Sequence, residues 1–359
     1  MKILKKIIVL FIIFMLTGCF DYKELNNLAI ITKMAIDKNG DEFEVSFSIE
    51  NTKSNTESNI IYTAAGKSIS EAINNIQLTL PKKIYTGHLS IIIINEELAK
   101  NNLNQLINYL IKSKEYSQNF YLALSKDKSS KETINEISNL ETKLSKNILS
   151  DINNEITFSD FLKTLIKPGI DPVLPVITIK DNTIDVSSTL ALFNNYKLVA
   201  FSNENQSKGI NLIYNKTKEM IIPIKSDNKN IATIKLSNIN TKTKIKNNTI
   251  ININIKANYT IKEINYEIKK QTINEIKNKT KNEIKKLIQE GIEISKNNDI
   301  DIFGFGNMIY KNNASYFNKI KDTWGTEFKK INPNIKINLI TDDNLQQTTI
   351  KENNNSWKK

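Results

Sequence analysis

The chain has one cysteine, Cys19, and it stands at the end of a short apolar leader. Lysines at positions 2, 5 and 6 precede a hydrophobic run over residues 7–16, and Leu16-Thr17-Gly18 leads to the cysteine. This order predicts a signal peptide over residues 1–18, because the run is too short to cross roughly 30 Å of hydrocarbon. With no second cysteine for a disulfide, the mature chain must be stabilised by packed hydrophobic cores.

The segment Leu16-Thr17-Gly18-Cys19 resembles a bacterial lipobox. In that motif the cysteine sulfur receives a diacylglycerol, and the cysteine becomes the first residue of the mature protein. The resemblance implies S-diacylglycerol and N-acyl groups, such as palmitate, on Cys19. Two acyl chains are sufficient for stable membrane anchoring. We therefore expect an exported lipoprotein held on the outer face of a membrane.

Length and charge narrow the classes of protein that are expected. The 359 residues predict two or three domains in the mature chain. The formal charge is +12, and every basic residue is a lysine that lies among asparagines and isoleucines. Arginine forks, which commonly read guanine edges, are absent, so we expect no nucleic-acid partner. A modest attraction to anionic lipid headgroups remains compatible with the lysines.

Periodic patterns divide the mature chain into three predicted units, and the predicted fold class is α+β. Each unit is expected to form a β-sheet with packed helices. The predicted boundaries are 19–139 for an N-terminal α+β domain, 140–225 for a middle β-rich domain, 226–345 for a C-terminal α+β domain and 346–359 for a polar tail.

Strands are predicted where apolar and polar residues alternate or where β-branched residues form a short run. The predicted strands are residues 28–31, 43–49, 89–94, 120–124, 176–179, 189–193, 196–201, 251–261 and 335–339. Asn39-Gly40 and Asn194-Asn195 predict tight hairpin turns. Helices are predicted after the capping residues Ser68, Asn95, Ser129 and Thr157, and over residues 266–296 and 315–330.

Motifs along the mature chain are similar to those of one known family. They are Cys19-Phe-Asp-Tyr-Lys-Glu-Leu25, the segment 81–99 around Gly87-His88-Leu89, and Asp301-Ile-Phe-Gly-Phe-Gly306 followed by Tyr316 and Trp324. In this order they resemble the Ger(x)C spore germination lipoproteins, the C subunits of nutrient germinant receptors. Phe20 departs from the family pattern, which usually has tryptophan at that position.

The resemblance implies a non-catalytic lipoprotein subunit of a spore nutrient germinant receptor, required for germination in response to nutrients. It implies integral-membrane A and B subunits as partners and a place on the outer face of the spore inner membrane. No cofactor, no metal and no catalytic residue is expected, and the one site residue that carries over is the lipid attachment residue Cys19.

Two other functions stay open. A solute-binding lipoprotein of a transporter would have two similar α/β lobes around a cleft. An exported cell-wall hydrolase would need a catalytic constellation. His88 is the sole histidine and Cys19 the sole cysteine, which excludes histidine-cluster and thiolate zinc sites. The chain has no Gly-x-Ser-x-Gly elbow, and Gly304-Phe305-Gly306 lacks the further glycine of a phosphate loop.

The residues that could carry chemistry have simpler structural interpretations. His88 is expected to form a hydrogen bond where the buried strand 89–94 begins. Gly304-Phe305-Gly306 is expected to be a turn that packs Phe303 and Phe305, and Trp324 is expected in the hydrophobic core.

Overall fold

The computed structural model of the chain describes residues 27–49, 60–113, 115–144, 156–180, 183–186, 188–226, 229–246, 250–264 and 270–341. These residues form two β-sheets, of ten and four strands, with helices packed on them. The expected α+β class is therefore confirmed. The leader, Cys19 and the tail from residue 342 lie outside the described residues.

The first sheet is mixed. Its strands are β1 Leu28–Asn39, β2 Glu42–Ile49, β3 Ile60–Gly66, β4 Lys83–Tyr85, β5 Ile91–Ile94, β6 Tyr121–Ser125, β7 Val173–Lys180, β8 Thr183–Asp185, β9 Leu190–Asn194 and β10 Lys197–Phe201. The order is β10-β9-β7-β6-β5-β1-β2-β3, with β4 paired to β1 and β8 to β7. The central strands β1, β5, β6 and β7 are parallel, and β4 is also parallel to β1. The other strands are antiparallel to their neighbours.

Helices cover both faces of this sheet. The helices that pack on the first face are α1 Ile69–Thr79, α2 Glu96–Asn101, α3 Leu103–Lys112 and, after α4, α5 Phe158–Ile166. The helix α4, Ser130–Leu144, packs on the opposite face through Ile134 and Ile137. All four residues of β5 are fully buried between these layers, which confirms the predicted buried strand.

The predicted helix caps are found with one difference in detail. The side chains of Asn95 and Thr157 accept the backbone N–H groups that cap α2 and α5. Ser129 and Glu132 form a complete capping box at the start of α4. Ser68 accepts the N–H of Glu71 at α1, but the Glu71 carboxylate accepts from Lys67 instead of returning to Ser68.

The second sheet is smaller. Its strands are β11 Met220–Ser226, β12 Lys229–Lys246, β13 Ile250–Ile264 and β14 Asn334–Thr341, in the order β11-β12-β13-β14. Its helices are α7 Lys270–Asn297, α8 Phe305–Asn312, α9 Ala314–Ile320 and α10 Trp324–Lys330. The predicted single helix over 315–330 is wrong, because a 3₁₀ turn, Lys321–Thr323, separates α9 from α10. In that turn the Thr323 hydroxyl donates a hydrogen bond to the Ile320 carbonyl, and this local bond competes with the regular backbone hydrogen bonds of an α-helix.

The first two predicted units contribute strands to the same sheet. Strand β7, from the predicted middle unit, pairs in parallel with β6 through Leu124↔Val176 and Ser125↔Ile177. The helix α6, Glu204–Ile213, packs along α7 of the predicted third unit. The chain is therefore divided between the two sheets differently from the three predicted units. The domain boundaries predicted at 139/140 and 225/226 stay a prediction.

Candidate functional site

Two loops that are far apart in sequence meet where the halves of the molecule touch. The first loop, residues 168–171, connects α5 to β7, and the second, residues 301–307, leads from α7 into α8. We call these two loops, together with Trp324, the junction. The second loop contains the Asp301–Gly306 motif that the sequence singled out, so the junction is the structural setting of that motif.

Asp301 organises its own loop. One oxygen of its carboxyl group, Oδ2, accepts the backbone N–H of Gly306 at 2.7 Å and the indole N–H of Trp324 at 3.2 Å. These two bonds hold the start of α8 against the start of α10. The other oxygen, Oδ1, is buried and has no hydrogen-bond partner among the described residues.

The two loops exchange main-chain hydrogen bonds. The N–H of Asp301 donates to Oδ2 of Asp171 at 2.8 Å, and the N–H of Asp171 donates to the carbonyl of Asp301 at 2.8 Å. Asn307 adds two further bonds, from its backbone N–H to the Gly169 carbonyl at 2.9 Å and from its side-chain amide to the Pro168 carbonyl at 3.0 Å. The loops are therefore held in one relative position by four hydrogen bonds.

The loops approach each other so closely that glycine is required in both. A Cβ on Gly306 would lie 2.6 Å from the Trp324 ring and 2.9 Å from the Cα of Gly169. Gly169 has a φ of +66°, and a Cβ there would lie 2.6 Å from the backbone of Gly306. Both distances are below any normal carbon contact, so the paired glycines allow the two backbones to touch.

Burial controls the electrostatics of the junction. Desolvation raises the pKa of Asp301 to about 7, although hydrogen bonds from the Gly306 and Phe305 backbone and from Trp324 oppose the shift. Burial also raises the pKa of Asp171, against hydrogen bonds from backbone groups. Both carboxyl groups therefore favour the protonated form more than an exposed aspartate does.

Aromatic side chains surround this polar centre. Phe303 and Phe305 stack with their ring centroids 5.4 Å apart, as expected. The predicted turn at Gly304-Phe305-Gly306 is wrong, because Gly304 is the N-cap of α8 and the helix begins at Phe305. Trp324 is buried, with its ring 5.4 Å from that of Phe317, which confirms its place in the core. Trp324 also forms part of the wall of an open pocket of about 490 Å³, whose further lining residues include Ile250, Ile309, Tyr316, Ile320, Glu327 and Lys330.

The other residues considered from sequence lie apart from the junction. His88 is exposed, and its ring lies 6.0 Å from that of Tyr85. The expected hydrogen bond of His88 is not found with any described residue. The structure does not place Cys19, which lies outside the described residues. The sequence does not single out Asp171, because nothing local connects it with Asp301, 130 residues further on.

The described residues contain neither a cluster of metal-binding side chains nor a helix that could span a membrane. No group of three or more His, Cys, Asp or Glu side chains in this part of the chain is arranged to hold a metal ion. Of the helices that are described, none combines the length and hydropathy that a bilayer-spanning segment requires.

Two family models match the chain in sequence. A spore germination protein N-terminal domain matches residues 21–179, and a spore germination B3/GerAC-like C-terminal domain matches residues 188–344. Both loops of the junction lie within matches, the first in the N-terminal model and the second in the C-terminal model. The matches and the fold together define the class, a spore germination protein.

Individual relatives agree with this class. Spore germination protein KC of Bacillus subtilis is 23% identical, with 98% of this chain and 97% of the relative covered. Spore germination protein B3 of the same species is 28% identical over 32% of this chain and 33% of the relative. The crystal structure of the GerBC protein has the same fold, with a TM-score of 0.56 and 14% identity over 86% of this chain and 96% of that one. The chain belongs to the Ger(x)C family of spore germination proteins.

Proposed function

We propose that the protein is a membrane-anchored, non-catalytic lipoprotein subunit of a spore nutrient germinant receptor. One observation carries the proposal: the family matches begin at residue 21, two residues after a cysteine that ends a lipobox-like leader. The expected partners are the integral-membrane A and B subunits of the receptor. The expected location is the outer face of the spore inner membrane, with acyl groups on Cys19 as the anchor.

The chemistry of the junction supports a structural role for its carboxyl groups. Asp171 and Asp301 each use their Oδ2 atom to accept main-chain N–H groups of the protein itself, and Oδ2 of Asp301 also accepts the indole N–H of Trp324. A catalytic carboxyl group must instead reach the proton or atom of a bound substrate. In a receptor subunit, the same groups would fix the two matched halves relative to each other.

The alternative of a solute-binding lipoprotein fits the architecture less well. That class would have two similar lobes, whereas this fold has a mixed ten-stranded sheet and a four-stranded sheet with different helix arrangements. A thermal-shift measurement with a panel of nutrients distinguishes the two functions, since a solute-binding protein gains stability when its ligand binds. Zymography of the purified ectodomain tests the third possibility, a cell-wall hydrolase.

Replacing Cys19 by Ala in the native gene tests the proposal. The variant cannot receive the diacylglycerol, so we expect its loss from the spore inner-membrane fraction and slower germination with nutrients. Germination by a trigger that bypasses nutrient receptors should stay normal. The control is Thr17→Ser, which keeps the cysteine and a small residue in the leader. Normal localisation and nutrient germination in the Cys19→Ala strain would rule out the proposed anchoring.

A further inference from the structure

One edge of the first sheet exposes several large apolar side chains. This edge lies at the amino ends of the parallel strands β1, β5 and β6. The exposed fractions are 45% for Ile60, 77% for Leu78, 38% for Tyr85 and 54% for Ile111. Scattered exposed apolar residues are ordinary, but a group at one edge of a sheet indicates a surface that binds something.

Specific contacts bring these residues to the same edge. Strand β4 pairs with the start of β1 through Ile30↔Tyr85. The Gln77 side chain fixes the end of α1, which carries Leu78, to β4 and the residue before it by two hydrogen bonds of 2.9 Å, from Gln77 to the Lys82 carbonyl and from the Ile84 N–H to Gln77. The Thr86 hydroxyl donates to the Glu115 carbonyl at 2.9 Å, which brings the loop that follows α3 to the same place.

The fourth exposed apolar residue, Ile60, reaches the edge through strand pairing. Ile60 is the first residue of β3 and pairs with Ile49, the last residue of β2. Ile49 in turn pairs with Ile31 near the start of β1. Ile60 therefore lies at the same end of the sheet as the first residues of β1.

Basic residues stand beside the apolar ones. Lys83 and Lys112 are exposed at this edge, and Lys82 is half-buried, whereas Glu115 supplies an exposed carboxylate. A surface that combines aliphatic, tyrosine and lysine side chains has the chemistry of a lipid headgroup interface, where lysines meet anionic lipids and tyrosine contacts both apolar and polar groups.

The position of this edge relative to the anchor residue favours a lipid partner. Leu28 lies nine residue steps from Cys19, and a chain of that length spans at most about 30 Å. The opposite end of β1, at Asn39, lies eleven residue steps away, or roughly 36 Å further along the strand. An acyl group on Cys19 therefore keeps the apolar edge close to the bilayer.

We propose that this membrane-facing edge, formed by Ile60, Leu78, Tyr85 and Ile111 with Lys83 and Lys112, rests on anionic lipid headgroups of the membrane that holds the protein. The inference deepens the proposed function, because the tether argument assumes acylated Cys19. The apolar and basic character of the edge is independent of that assumption, so the two ideas can fail separately.

A quenching experiment on the acylated mature chain tests the orientation. The protein is reconstituted into phosphatidylglycerol-containing vesicles whose acyl chains carry bromine, which quenches nearby tryptophan. Leu78→Trp places a probe on the edge, and Asp41→Trp places one in the exposed β1–β2 turn at the other end of the sheet. We expect quenching above the wild-type background for Leu78→Trp and none for Asp41→Trp. Equal quenching of both probes, or of neither, would overturn the inference and leave the anchor intact.

A second experiment removes the anchor. A Cys19→Ser chain should sediment with phosphatidylglycerol-containing vesicles more than with phosphatidylcholine alone. Lys83→Gln with Lys112→Gln should lower that binding on the order of 30-fold, since each lysine near an anionic surface contributes about fivefold. The matched control is Lys319→Gln with Lys321→Gln, two exposed lysines in or next to α9. An equal loss of vesicle binding in both double variants would contradict specific lipid binding by this edge.

Other occupants of the edge give different results. If Leu78→Ser breaks a dimer of the Cys19→Ser chain in sedimentation velocity and leaves vesicle binding unchanged, the edge is an interface between two copies and the inference is wrong. If mass spectrometry shows that native Cys19 carries no acyl group, the proposed anchoring fails. The vesicle result with the Cys19→Ser chain then still decides the inference.

Discussion

Gly306 is the residue where the two loops of the junction come closest. Its replacement by Ala places a Cβ against Trp324 and Gly169, so the loops must separate or Trp324 must move. We expect the free energy of unfolding to fall by about 2–3 kcal/mol, as for other overpacked sites. Urea denaturation of the purified ectodomain measures the loss.

Gly40→Ala is the control for this substitution. Gly40 has a φ of +58° but open space around it, so Ala there costs about 1 kcal/mol of backbone strain and no packing. Comparing the two variants separates the cost of backbone strain from the cost of the packing clash. A Gly306→Ala protein that is as stable as the Gly40→Ala protein would show that the loops are not held tightly.

The carboxyl group of Asp301 makes the stability of the junction depend on pH. Burial raises its pKa to about 7 from an ordinary value of 3.8, so between these values the folded protein holds a proton that the unfolded chain has released. Stability therefore falls as pH rises through this window, by up to about 1.4 kcal/mol per pH unit. Asp301→Asn keeps an acceptor oxygen and carries no charge. Relative to the wild type, this variant should become more stable from pH 5 to pH 7 and then level off.

Urea denaturation at several pH values between 5 and 8 checks this prediction. Asp171, whose pKa burial also raises, is present in both proteins, and its charge raises the pKa of Asp301, so the difference between variant and wild type includes this coupling. Asp160→Asn is the control, because a hydrogen bond from Thr157 lowers the pKa of Asp160 and puts its titration below the window. A difference between Asp301→Asn and wild type that does not change with pH would contradict the raised pKa.

Single residues were predicted well where the signal is local. The capping side chains of Asn95, Ser129 and Thr157 act within three residues of themselves, so their types and spacing are sufficient. Asp37 was missed for the opposite reason. Its carboxylate accepts the N–H groups of Ser130 and Lys131, more than 90 residues away, and caps α4 from a strand. No local pattern indicates such a partner.

At the scale of elements, α6 and α7 pack with their backbones in close contact. A Cβ on Gly209 of α6 would lie 1.9 Å from the Leu287 carbonyl of α7. In an isolated helix, Gly→Ala adds about 1 kcal/mol of stability. Here we expect Gly209→Ala to destabilise the protein by about 3 kcal/mol or more, because the helices must move apart. The sign of the change therefore reports the packing.

Thermal and urea unfolding measure this sign. Asn205→Ala, at an exposed position of the same helix, is the matched control and should be neutral or slightly stabilising. Should Gly209→Ala stabilise the protein as much as this control does, the close contact between the helices would be wrong.

The same contact explains why α6 was not predicted. Its sequence, Glu204–Ile213, contains few apolar residues at helical spacing, and Ser207, Gly209 and Asn211 are among its buried residues. Those small and polar residues fit against α7 and weaken the apolar pattern of the buried side, although the capping box of Asn203 and Gln206 is a local signal of the helix start. By contrast, Ile and polar residues alternate along β13, so that the Ile side chains share one buried face. The strand predicted over 251–261 accordingly lies within the observed strand.

At the scale of the whole molecule, the sequence indicated the class of fold but not which strands pair with each other in one sheet. Seven strands of the first sheet were predicted from a local pattern, whereas β3, β4 and β8 were not. The pairing of Leu124 with Val176 joins segments that are far apart. Strand order depends on such long-range pairs, which a local period does not encode. The predicted boundary at 139/140 consequently falls between two strands, β6 and β7, that are neighbours in one sheet.

This shared sheet predicts how fragments of the chain behave. A fragment of residues 19–139 would leave β6 as an unpaired edge and remove Leu174, Val176, Ala191 and Phe193 from the core of the first sheet. Each buried side chain of this kind contributes about 1.5–3 kcal/mol, except the smaller Ala, so the sum is comparable with the 5–15 kcal/mol of a typical domain. We expect no cooperative urea transition for this fragment.

A fragment of residues 19–203 retains every strand of the first sheet and is the matched control. It loses the packing of α6 and of the second sheet, so it should be less stable than the full ectodomain. We still expect it to unfold in one cooperative transition, measured by circular dichroism in urea. The two fragments differ by strands β7 to β10, by α5 and by the end of α4. A cooperative transition in 19–139 as well would show that the residues up to 139 fold without these elements. The three-unit organisation expected from the sequence would then describe the folding units correctly.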